Sequence, residues 1–479
     1  DLATIRKSVL NSDKAVSSSQ VYLNKFPTEV LKDLLTLRSS SYNVLLRAEE
    51  GEKRVPSQGL PMHKKKNSVL ASKKSQEGKA TQTSCIFSSS ASNLPKTGKA
   101  MSVMGSTLGL IPRSHLRKAY VPSLPLTKLP SLSKPATLEE AEISKKLCIL
   151  SAIKPTNVEQ EKARFFKSDF TYNPQFEYSS PLAQVALARH SSASDRFLTQ
   201  AVHIMEVALQ RYGSYERFEQ ATGGSLLSKS RIWTSVKKYM EKEGCVGEIV
   251  VQVTDDLLSR ASMTVVNSRP TLTINTATAR EHWLEGMLRH EIGTHYFRGL
   301  NNVQQPWSSS AGRRRHNLRP LNPTEEGLAS IHSVLFRRDP TLWRAALLYY
   351  TVHQASTSSF SQLFHCLGRF VQDPHTRWDY CVRAKRGQTD TAQPGCFSKD
   401  QVYLEGILKI LRYRDKINFP LLMSLGKVAF EDVDRLKSLA QMDNIRIPHF
   451  MQDQAKYHEQ LTKIMAVNRL TDEELMTII

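Results

Sequence analysis

The sequence has few cysteines, and none of them form a closely spaced pair. The six cysteines are spread over more than 300 of the 479 positions, without a CxxC motif. Zinc knuckles require such pairs, and disulfide frameworks belong to small cysteine-dense secreted domains. We therefore predict reduced thiols at Cys85, Cys148, Cys245, Cys366, Cys381 and Cys396.

Long apolar runs are also absent from the sequence. No stretch approaches the roughly 18 to 20 apolar residues of a membrane-spanning helix, and residues 1–20 have no apolar signal-peptide core. We therefore expect a soluble, cytoplasmic protein without a membrane partner. The sequence begins at Asp1 rather than Met, which leaves the position of the natural N-terminus open.

Acidic residues are scarce relative to basic ones. The chain has 66 Lys and Arg against 45 Asp and Glu, for a net charge of +21 at pH 7. Such an excess favours a polyanionic partner, but charge alone does not choose among nucleic acid, an anionic membrane and an acidic protein surface. The sequence has no zinc-finger spacing, RNP-like aromatic motif or P-loop, so we predict no nucleic-acid partner.

Residues 51–130 hold more than half of the excess charge. They contain 14 Lys or Arg, 2 acidic residues and 13 Ser, with only two aromatic residues. That composition buries too little apolar surface to offset the entropy of ordering the backbone. We predict that residues 1–136 form a basic, Ser/Lys-rich and largely disordered region, with one short helix at 21–46. The region either contacts an acidic surface in a salt-sensitive way or serves only as a soluble linker.

From residue 137 onward the composition becomes that of a folded domain. Apolar residues recur with helical spacing at 138–153, 182–212, 229–242 and 341–355. Two segments rich in β-branched residues, 247–253 and 264–276, predict strands. These patterns predict a mostly helical α+β domain over residues 137–479, with a small β-sheet.

Two histidines and a glutamate lie at the end of another predicted helix. His290, Glu291 and His295 follow an apolar helical pattern. In the common H-E-x-x-H motif, histidines four residues apart bind one metal from a single helix face. Histidines five residues apart point about 140° away from each other on an ideal α-helix. A shared metal therefore requires a wide π-type turn or local unwinding, which Gly293 makes less costly.

The histidine pair also has an ordinary explanation. The composition predicts about 0.04 chance occurrences of such a motif in a chain of this length. Two unrelated histidines on an amphipathic helix remain the alternative to a metal site.

A third metal ligand is expected from a second helix, because catalytic zinc sites use three protein ligands and leave a position for water. Asn322 suits an N-cap, Pro323 the first helical position and Glu325 a capping-box position. Glu326 begins a Glu-x-x-Ala pattern that resembles the third-ligand helix of gluzincin metallopeptidases. We predict Glu326 as the ligand and Glu325 as a cap or a partner of the ligands. The alternative for Glu326 is an ordinary first-turn acid stabilised by the helix dipole.

Four segments of the sequence are similar to known proteins. They are Phe170–Tyr178, Arg289–Asn302, Asn322–Ser330 and Cys381–Asp390. These segments resemble the microtubule-associated tyrosine carboxypeptidase family, and the second of its two vertebrate paralogues more than the first. The resemblance implies a zincin-like zinc metallopeptidase domain that removes the C-terminal tyrosine of α-tubulin, with microtubules as its partner and the cytoskeleton as its location.

The resemblance also implies roles for individual residues. Carried over position by position, it makes His290, His295 and Glu326 the ligands of one Zn²⁺ and Glu291 the catalytic acid/base. A glutamate beside a ligand is placed to take a proton from the attacking water and pass it to the leaving amine. The strand at 271–276, just before the motif, is expected to pair as an edge strand with the extended substrate tail.

A carboxypeptidase must also recognise the α-carboxylate, most economically with Arg or Lys. One basic segment, 313–319, lies between the histidine pair and Glu326. We favour the other, with Arg383, Lys385 and Arg386, because a charged loop suits contact with a substrate; its alternative is a solvated basic face.

The remaining predictions concern chemistry and function class. Tyr403 is a candidate oxyanion donor, with an ordinary core position as the alternative. A non-catalytic microtubule-binding or polyanion-binding protein with a metallopeptidase-like fold is the alternative to an enzyme. The presence of Glu291 argues against that alternative, because metal binding alone does not need this carboxylate. The oligomeric state and the preference for Tyr over Phe are left open.

Overall fold

The computed structural model describes residues 153–179, 187–257, 259–266 and 269–479. The predicted disordered region at 1–136 and the domain boundary after it therefore lie outside the described residues, as do the helix at 21–46 and nearly all of the helix at 138–153. Within the described part of the chain, no helix combines the length and hydropathy that a membrane span requires.

Helices dominate the described residues. In chain order the α-helices are α1 (Val158–Lys167), α2 (Leu198–Tyr212), α3 (Tyr215–Gly223), α4 (Lys229–Glu243), α5 (Leu284–Leu288), α6 (Phe297–Val303), α7 (Ser310–Arg315), α8 (Asn322–Val334), α9 (Trp343–Thr357), α10 (Phe360–Leu367), α11 (Pro374–Lys385), α12 (Val402–Arg412), α13 (Phe419–Ser424), α14 (Val433–Leu436), α15 (Gln454–Val467) and α16 (Asp472–Ile478).

A small sheet interrupts this helical order between α4 and α5. Its strands are β1 (Val250–Thr254), β2 (Ala261–Val266) and β3 (Arg269–Asn275), in the spatial order β1-β3-β2. β3 pairs in parallel with β1 and antiparallel with β2. The mostly helical α+β fold with a small sheet is confirmed.

The sheet corrects one prediction about the substrate. The segment at 264–276 belongs to two antiparallel strands rather than one, and β3 is the central strand. Both edges of β3 already pair with neighbours, so the prediction of β3 as an edge strand for the substrate was wrong. Among the described strands, β1 and β2 lie at the edges instead.

The predicted helices are confirmed at α4 and α9, whereas the long helix predicted at 182–212 was partly wrong. Residues 191–197 are not helical, and α2 begins only at Leu198. Serines favour local side-chain and backbone bonds that compete with a helix. Here the N–H of Ser194 donates to Gln401 Oε1 at 2.7 Å, which ties the segment to the residue before α12.

Two glycines allow α8 and α12 to pack closely against each other. A Cβ on Gly327 of α8 would lie 2.3 Å from the carbonyl carbon of Gly406 in α12. A Cβ on Gly406 would lie 1.9 Å from the carbonyl oxygen of Pro323. Only glycine allows these backbones to approach so closely, since any side chain would force them apart. The contact fixes the position of Glu326, which precedes Gly327 in the chain.

An aromatic cluster holds α11 in place. The ring of Phe165 in α1 lies 4.9 Å from that of Phe364 in α10 and 5.3 Å from that of Trp378 in α11, measured between centroids. All three side chains are buried. Because the rings pack in edge-on and tilted arrangements, they orient the helix that ends near Arg383.

Candidate active site

A π-helix at Arg289–Tyr296 carries both histidines of the motif. The N–H of Phe297 donates to the carbonyl of Ile292, five residues earlier. The Thr294 hydroxyl likewise donates to the carbonyl of Arg289 at 2.8 Å. The predicted helix distortion is therefore confirmed. It brings the rings of His290 and His295 to a centroid distance of 4.8 Å.

Gly293 lies inside this wide turn and is required by the packing around it. A Cβ at this position would lie 2.6 Å from the ring of Phe450 and 2.9 Å from the Tyr239 hydroxyl. Both neighbouring side chains are buried. The glycine thus lets the π-helix pack against α4 and the segment before α15.

The structure brings His290, His295 and Glu326 together. One ligand atom from each lies within 4.8 Å of the others. His295 Nε2 is 3.6 Å from Glu326 Oε2, and both atoms are buried without a hydrogen-bond partner. Buried polar atoms are usually hydrogen-bonded, so two such atoms facing each other indicate a site built for a ligand.

Hydrogen bonds from behind orient both histidines. His295 Nδ1 lies 2.7 Å from Glu325 Oε1, which leaves Nε2 directed at Glu326. A ring nitrogen of His290 bonds the backbone of Ala329 in α8. Histidines that bind metals usually donate their other ring N–H to a carboxylate or a carbonyl. Both partners come from α8, the helix that also supplies Glu326.

Glu325 is itself held by two buried cations. The ammonium of Lys427 bonds Glu325 Oε1, and Arg298 Nη1 lies 3.2 Å from Glu325 Oε2. Burial alone would raise the pKa of Glu325. The charges of Lys427 and Arg298 outweigh that effect and hold the pKa well below its usual range. Glu325 therefore stays ionised beside His295.

These contacts correct the capping prediction. α8 begins at Asn322 with Leu321 at the N-cap position, and no side chain caps it. The capping roles predicted for Asn322 and Glu325 were therefore wrong. Glu325 has the other role considered for it, as a partner of a candidate ligand, because His295 and two cations compensate its charge better than a backbone N–H would.

Glu291 lies between the histidines and the sheet. It is 3% exposed, and its Oε1 lies 4.0 Å from His290 Nε2. Burial raises its pKa to about 8, although a hydrogen bond with the backbone of Met263 in β2 and the charge of Lys427 act in the opposite direction. A bound divalent cation would favour the ionised form further. Its Oε2 has no hydrogen-bond partner.

A cavity of about 130 Å³ opens beside this cluster, with His290 and Glu291 in its wall. Its lining includes the aromatic side chains of Tyr215, Phe218, Trp283 and Trp343 among aliphatic residues. An engineered cavity of about 150 Å³ binds benzene in another protein, so the space is of the size that one aromatic ring fills. Two predicted substrate-binding residues, Arg383 and Tyr403, also line the cavity.

The other two predicted substrate-binding residues lie away from this wall. Lys385 Nζ donates to the carbonyls of Ala355, Ser358 and Gln393 at 3.1, 2.6 and 2.9 Å. Arg386 Nη2 donates to Asp400 at 2.9 Å. The expectation of a charged loop was wrong, since α11 extends through Lys385 and these side chains are buried.

Arg383 is paired within the protein although it faces the cavity. Its Nε and Nη2 donate to Asp400 at 2.6 and 3.1 Å. The Tyr403 hydroxyl is also hydrogen-bonded to this guanidinium. In the alternative basic segment, Arg313 is buried and donates to the carbonyl of Lys427 at 2.7 Å.

The sequence analysis missed several residues of the site. The sequence around Lys427 and Arg298 does not mark them as site residues. Lys427 follows a glycine in an ordinary turn, and Arg298 lies in an ordinary helix. Three arginines of the cavity wall, Arg260, Arg337 and Arg344, were also missed. They are far apart in the chain, and only the fold brings them together.

The family that matches this chain and three similar proteins are all described as tyrosine carboxypeptidases. Residues 180–472 match the family described as "Microtubule-associated tyrosine carboxypeptidase". A Mus musculus relative named "Putative tyrosine carboxypeptidase MATCAP2" is 56% identical over 99% of this chain and 96% of its own length. The Homo sapiens relative of the same name is 51% identical over 99% of this chain and 86% of its own length. Homo sapiens "Microtubule-associated tyrosine carboxypeptidase 1" is 60% identical over 73% of this chain and 74% of its own length.

Proposed function

The chain belongs to the microtubule-associated tyrosine carboxypeptidase family, and we propose from this premise that it is a zinc-dependent carboxypeptidase that removes the C-terminal tyrosine of α-tubulin. The observation that carries the proposal is the π-helix that brings His290 and His295 together beside Glu326, with Glu291 next to them. A regular α-helix through the motif would separate the two rings. We further propose a zincin-like fold and a cytoplasmic, microtubule-associated location.

The donor set fits a catalytic zinc ion. Two imidazoles and one carboxylate are a known ligand combination for catalytic zinc, with a further position left for water. The buried and unpartnered His295 Nε2 and Glu326 Oε2 fit direct ligation. The bonds from Glu325 and Ala329 behind the histidines fit the supporting partners that such sites use. His290, His295 and Glu326 would hold the ion.

The chemistry that zinc supplies when bound is polarisation of the scissile carbonyl and acidification of a water. The protein's own base is Glu291, whose ionised carboxylate accepts the proton of the attacking water. The same carboxyl then passes the proton to the leaving amine. The hydrogen bond from Met263 orients it during both transfers. The aromatic side chains in the cavity wall accept the substrate's terminal ring.

β2, an edge strand of the sheet, is the strand on which we propose that the substrate tail docks. The N–H of Asn275 donates to the carbonyl of Arg260, so bonded pairs alternate along β2 and β3 from that point. The backbone groups of Met263 and Val265 therefore point away from β3. The N–H of Met263 already donates to Glu291, so an extended substrate tail adds to this edge through the carbonyl of Met263 and the backbone of Val265, beside Glu291.

The decisive experiment is mass spectrometry of α-tubulin C-terminal peptides after incubation with microtubules. The protein is expected to remove one tyrosine, and its Glu291→Gln variant to remove none. Glu291→Gln is also expected to keep the parent's metal content, measured by inductively coupled plasma mass spectrometry. Loss of tyrosine with both proteins would overturn the role of Glu291.

No tyrosine loss with either protein, despite bound zinc, would favour the non-catalytic microtubule-binding function instead. Metal removal provides a further check. A chelator is expected to abolish activity and lower the melting temperature, because a ligand that binds only the folded state stabilises it by mass action. Activity that persists in fully metal-free protein would exclude the zinc mechanism.

A further inference from the structure

Three arginines from separate elements share the cavity with His290 and Glu291. Arg260 precedes β2, Arg337 follows α8, and Arg344 lies in the first turn of α9. Each is half-buried, and each lines the cavity. Three cations therefore face the space in which the proposed substrate ends.

None of the three has a carboxylate partner in the part of the chain that the structure describes. Among the described residues, no Asp or Glu oxygen lies within 4.0 Å of these guanidinium nitrogens. Two other arginines of the same wall do have such partners: Arg280 lies 2.9 Å from Glu219, and Arg383 lies 2.6 Å from Asp400. The protein thus pairs some cavity arginines directly with carboxylates, whereas these three have no such pair among the described residues.

The immediate surroundings of the cluster are aromatic. The guanidinium carbon of Arg260 lies 4.5 Å from the ring centroid of Trp283, and that of Arg337 lies 5.4 Å from it on the same ring. Arg344 Nη1 is 3.4 Å from the Tyr380 hydroxyl. Aromatic faces hold a guanidinium in orientation but do not neutralise it.

The cluster is electrostatically costly without a ligand. Burial and the charge of Arg344 lower the pKa of Arg260, and burial together with Arg260 and Arg289 lowers that of Arg337. The pKa of Arg344 is raised instead, because its burial is outweighed by neighbouring tyrosines and Asp400, so the cost falls on Arg260 and Arg337. Like charges brought together in a partly desolvated wall destabilise the folded state unless an anion binds. An anionic ligand that enters the cavity would relieve the repulsion among these charges.

The shape of the donors indicates the ligand. A guanidinium presents parallel N–H groups that match a carboxylate in a bidentate way. One α-carboxylate pairs with one of the three guanidinium groups, so the cluster can accept a second carboxylate as well. A peptide with a free C-terminus and an acidic side chain near it offers both groups on one molecule.

We propose that Arg260, Arg337 and Arg344 form a subsite that binds the C-terminal α-carboxylate together with an acidic side chain close to it in the substrate. The subsite selects acidic peptides with a free C-terminus. This inference rests on the proposed peptidase function for the direction of the substrate, but it makes a claim about binding that holds without catalysis.

The test measures peptide binding by the full chain carrying Glu291→Gln, so that the peptide stays intact. Four fluorescein-labelled peptides that end in Tyr are compared by fluorescence anisotropy. Two of them have Glu residues before the Tyr and two have Gln residues. Within each pair, one peptide has a free C-terminal carboxylate and the other has a C-terminal amide. Amidation and Glu-to-Gln exchange are each expected to weaken binding by about tenfold or more, the usual worth of a charged hydrogen-bonded contact.

The variants Arg260→Gln, Arg337→Gln and Arg344→Gln are then made in the same background. At least one is expected to bind the acid and the amide equally, and at least one to bind Glu and Gln peptides equally, because each has lost the group that makes the distinction. Arg231→Gln is the control, since Arg231 is exposed and lies 3.1 Å from Glu281 outside the cavity. It is expected to bind all four peptides as the parent does.

Folding is followed by thermal unfolding of each variant. Removing Arg260 or Arg337, whose pKa values are lowered, is expected to leave the melting temperature unchanged or to raise it. If a Gln variant fails to unfold cooperatively, the Lys variant at that position retains the charge without the planar donor pair and is expected to lose part of the discrimination. Variants that discriminate among the four peptides as the parent does would overturn the proposal, as would equal displacement of every peptide by inorganic phosphate without any dependence on the free C-terminus.

The outcome separates the two proposals. Tyrosine release by the parent with unchanged discrimination in all three variants would refute the arginine subsite and leave the peptidase intact. Discrimination lost in the variants, without tyrosine release by the parent, would support the subsite and refute the peptidase.

Discussion

The Nδ1 atom of His295 and the Oε1 atom of Glu325 lie 2.7 Å apart, with both side chains fully buried. The two residues are 30 positions apart in the chain, on the π-helix and on α8. The contact fixes the orientation of the imidazole, because it leaves only Nε2 to face Glu326. Glu325 precedes the candidate ligand Glu326 in the chain, but it supports the other candidate ligand, His295, and does not cap the start of α8.

Glu325→Gln is expected to lower zinc affinity by about 10- to 100-fold, since it removes the charge that holds His295. Competition with a chromogenic chelator measures the affinity. Glu459→Gln, on the exposed side of α15, is the control and is expected to bind zinc as the parent does. Circular dichroism verifies that the variant is folded. Unchanged affinity in folded Glu325→Gln would show that this carboxylate does not support the ligand.

Gly406→Ala is expected to lower the free energy of unfolding by about 1–3 kcal/mol, the usual cost of overpacking a tight contact. The added methyl group would collide with the carbonyl of Pro323 and push α12 away from α8. Zinc affinity is expected to fall as well, because α8 carries Glu326. Urea denaturation and the chelator assay measure the two effects. A fully stable variant would mean that the helices do not touch at this point.

Asp400→Asn is expected to destabilise the fold most strongly at neutral pH. Burial raises the pKa of Asp400, but the charges of Arg383 and Arg386 outweigh it and lower the pKa below its usual value. A lowered carboxyl pKa contributes stability above the unfolded-state value of about 3.9, and this contribution is lost as the pH falls through the folded-state value.

Breaking a buried ion pair of this kind costs about 3–5 kcal/mol. We therefore expect the free energy of unfolding of the parent to exceed that of Asp400→Asn by this amount at pH 7. The difference is expected to shrink steadily as the pH falls below about 4. Urea denaturation across this range measures it. Asp434→Asn is the control, because the side chain of Asp434 is 93% exposed. A difference that does not depend on pH would contradict the ionised state of Asp400.

Tyr403→Phe is expected to lower kcat by about 100- to 1000-fold with little change in KM, if its hydroxyl stabilises the oxyanion. The side chain lines the cavity together with Glu291. Steady-state kinetics on a tyrosine-ending peptide measures both constants. Tyr413→Phe, just beyond the end of the same helix, is the control. A raised KM with an unchanged kcat would instead assign Tyr403 to substrate binding through Arg383.

The local patterns in the sequence were informative about what lies within a few residues. The five-residue spacing of His290 and His295 predicted a π-type distortion, because helix geometry relates spacing directly to angle. The apolar periodicity of α4 and α9 predicted helices close to those observed. The capping signal before α8 misled, because the same glutamate finds stronger partners in the folded chain.

Tertiary structure decided the features that depend on contacts between distant residues. Lys427 lies 102 positions from Glu325, and nothing near either residue predicts their contact. The arginines at 260, 337 and 344 form one cavity wall only because β2, α8 and α9 meet there. The sequence by itself determined the candidate ligands and the mostly helical fold, since both follow from local spacing and composition. The partners that orient the ligands and the charges that face the substrate arise from long-range packing, which local spacing does not encode.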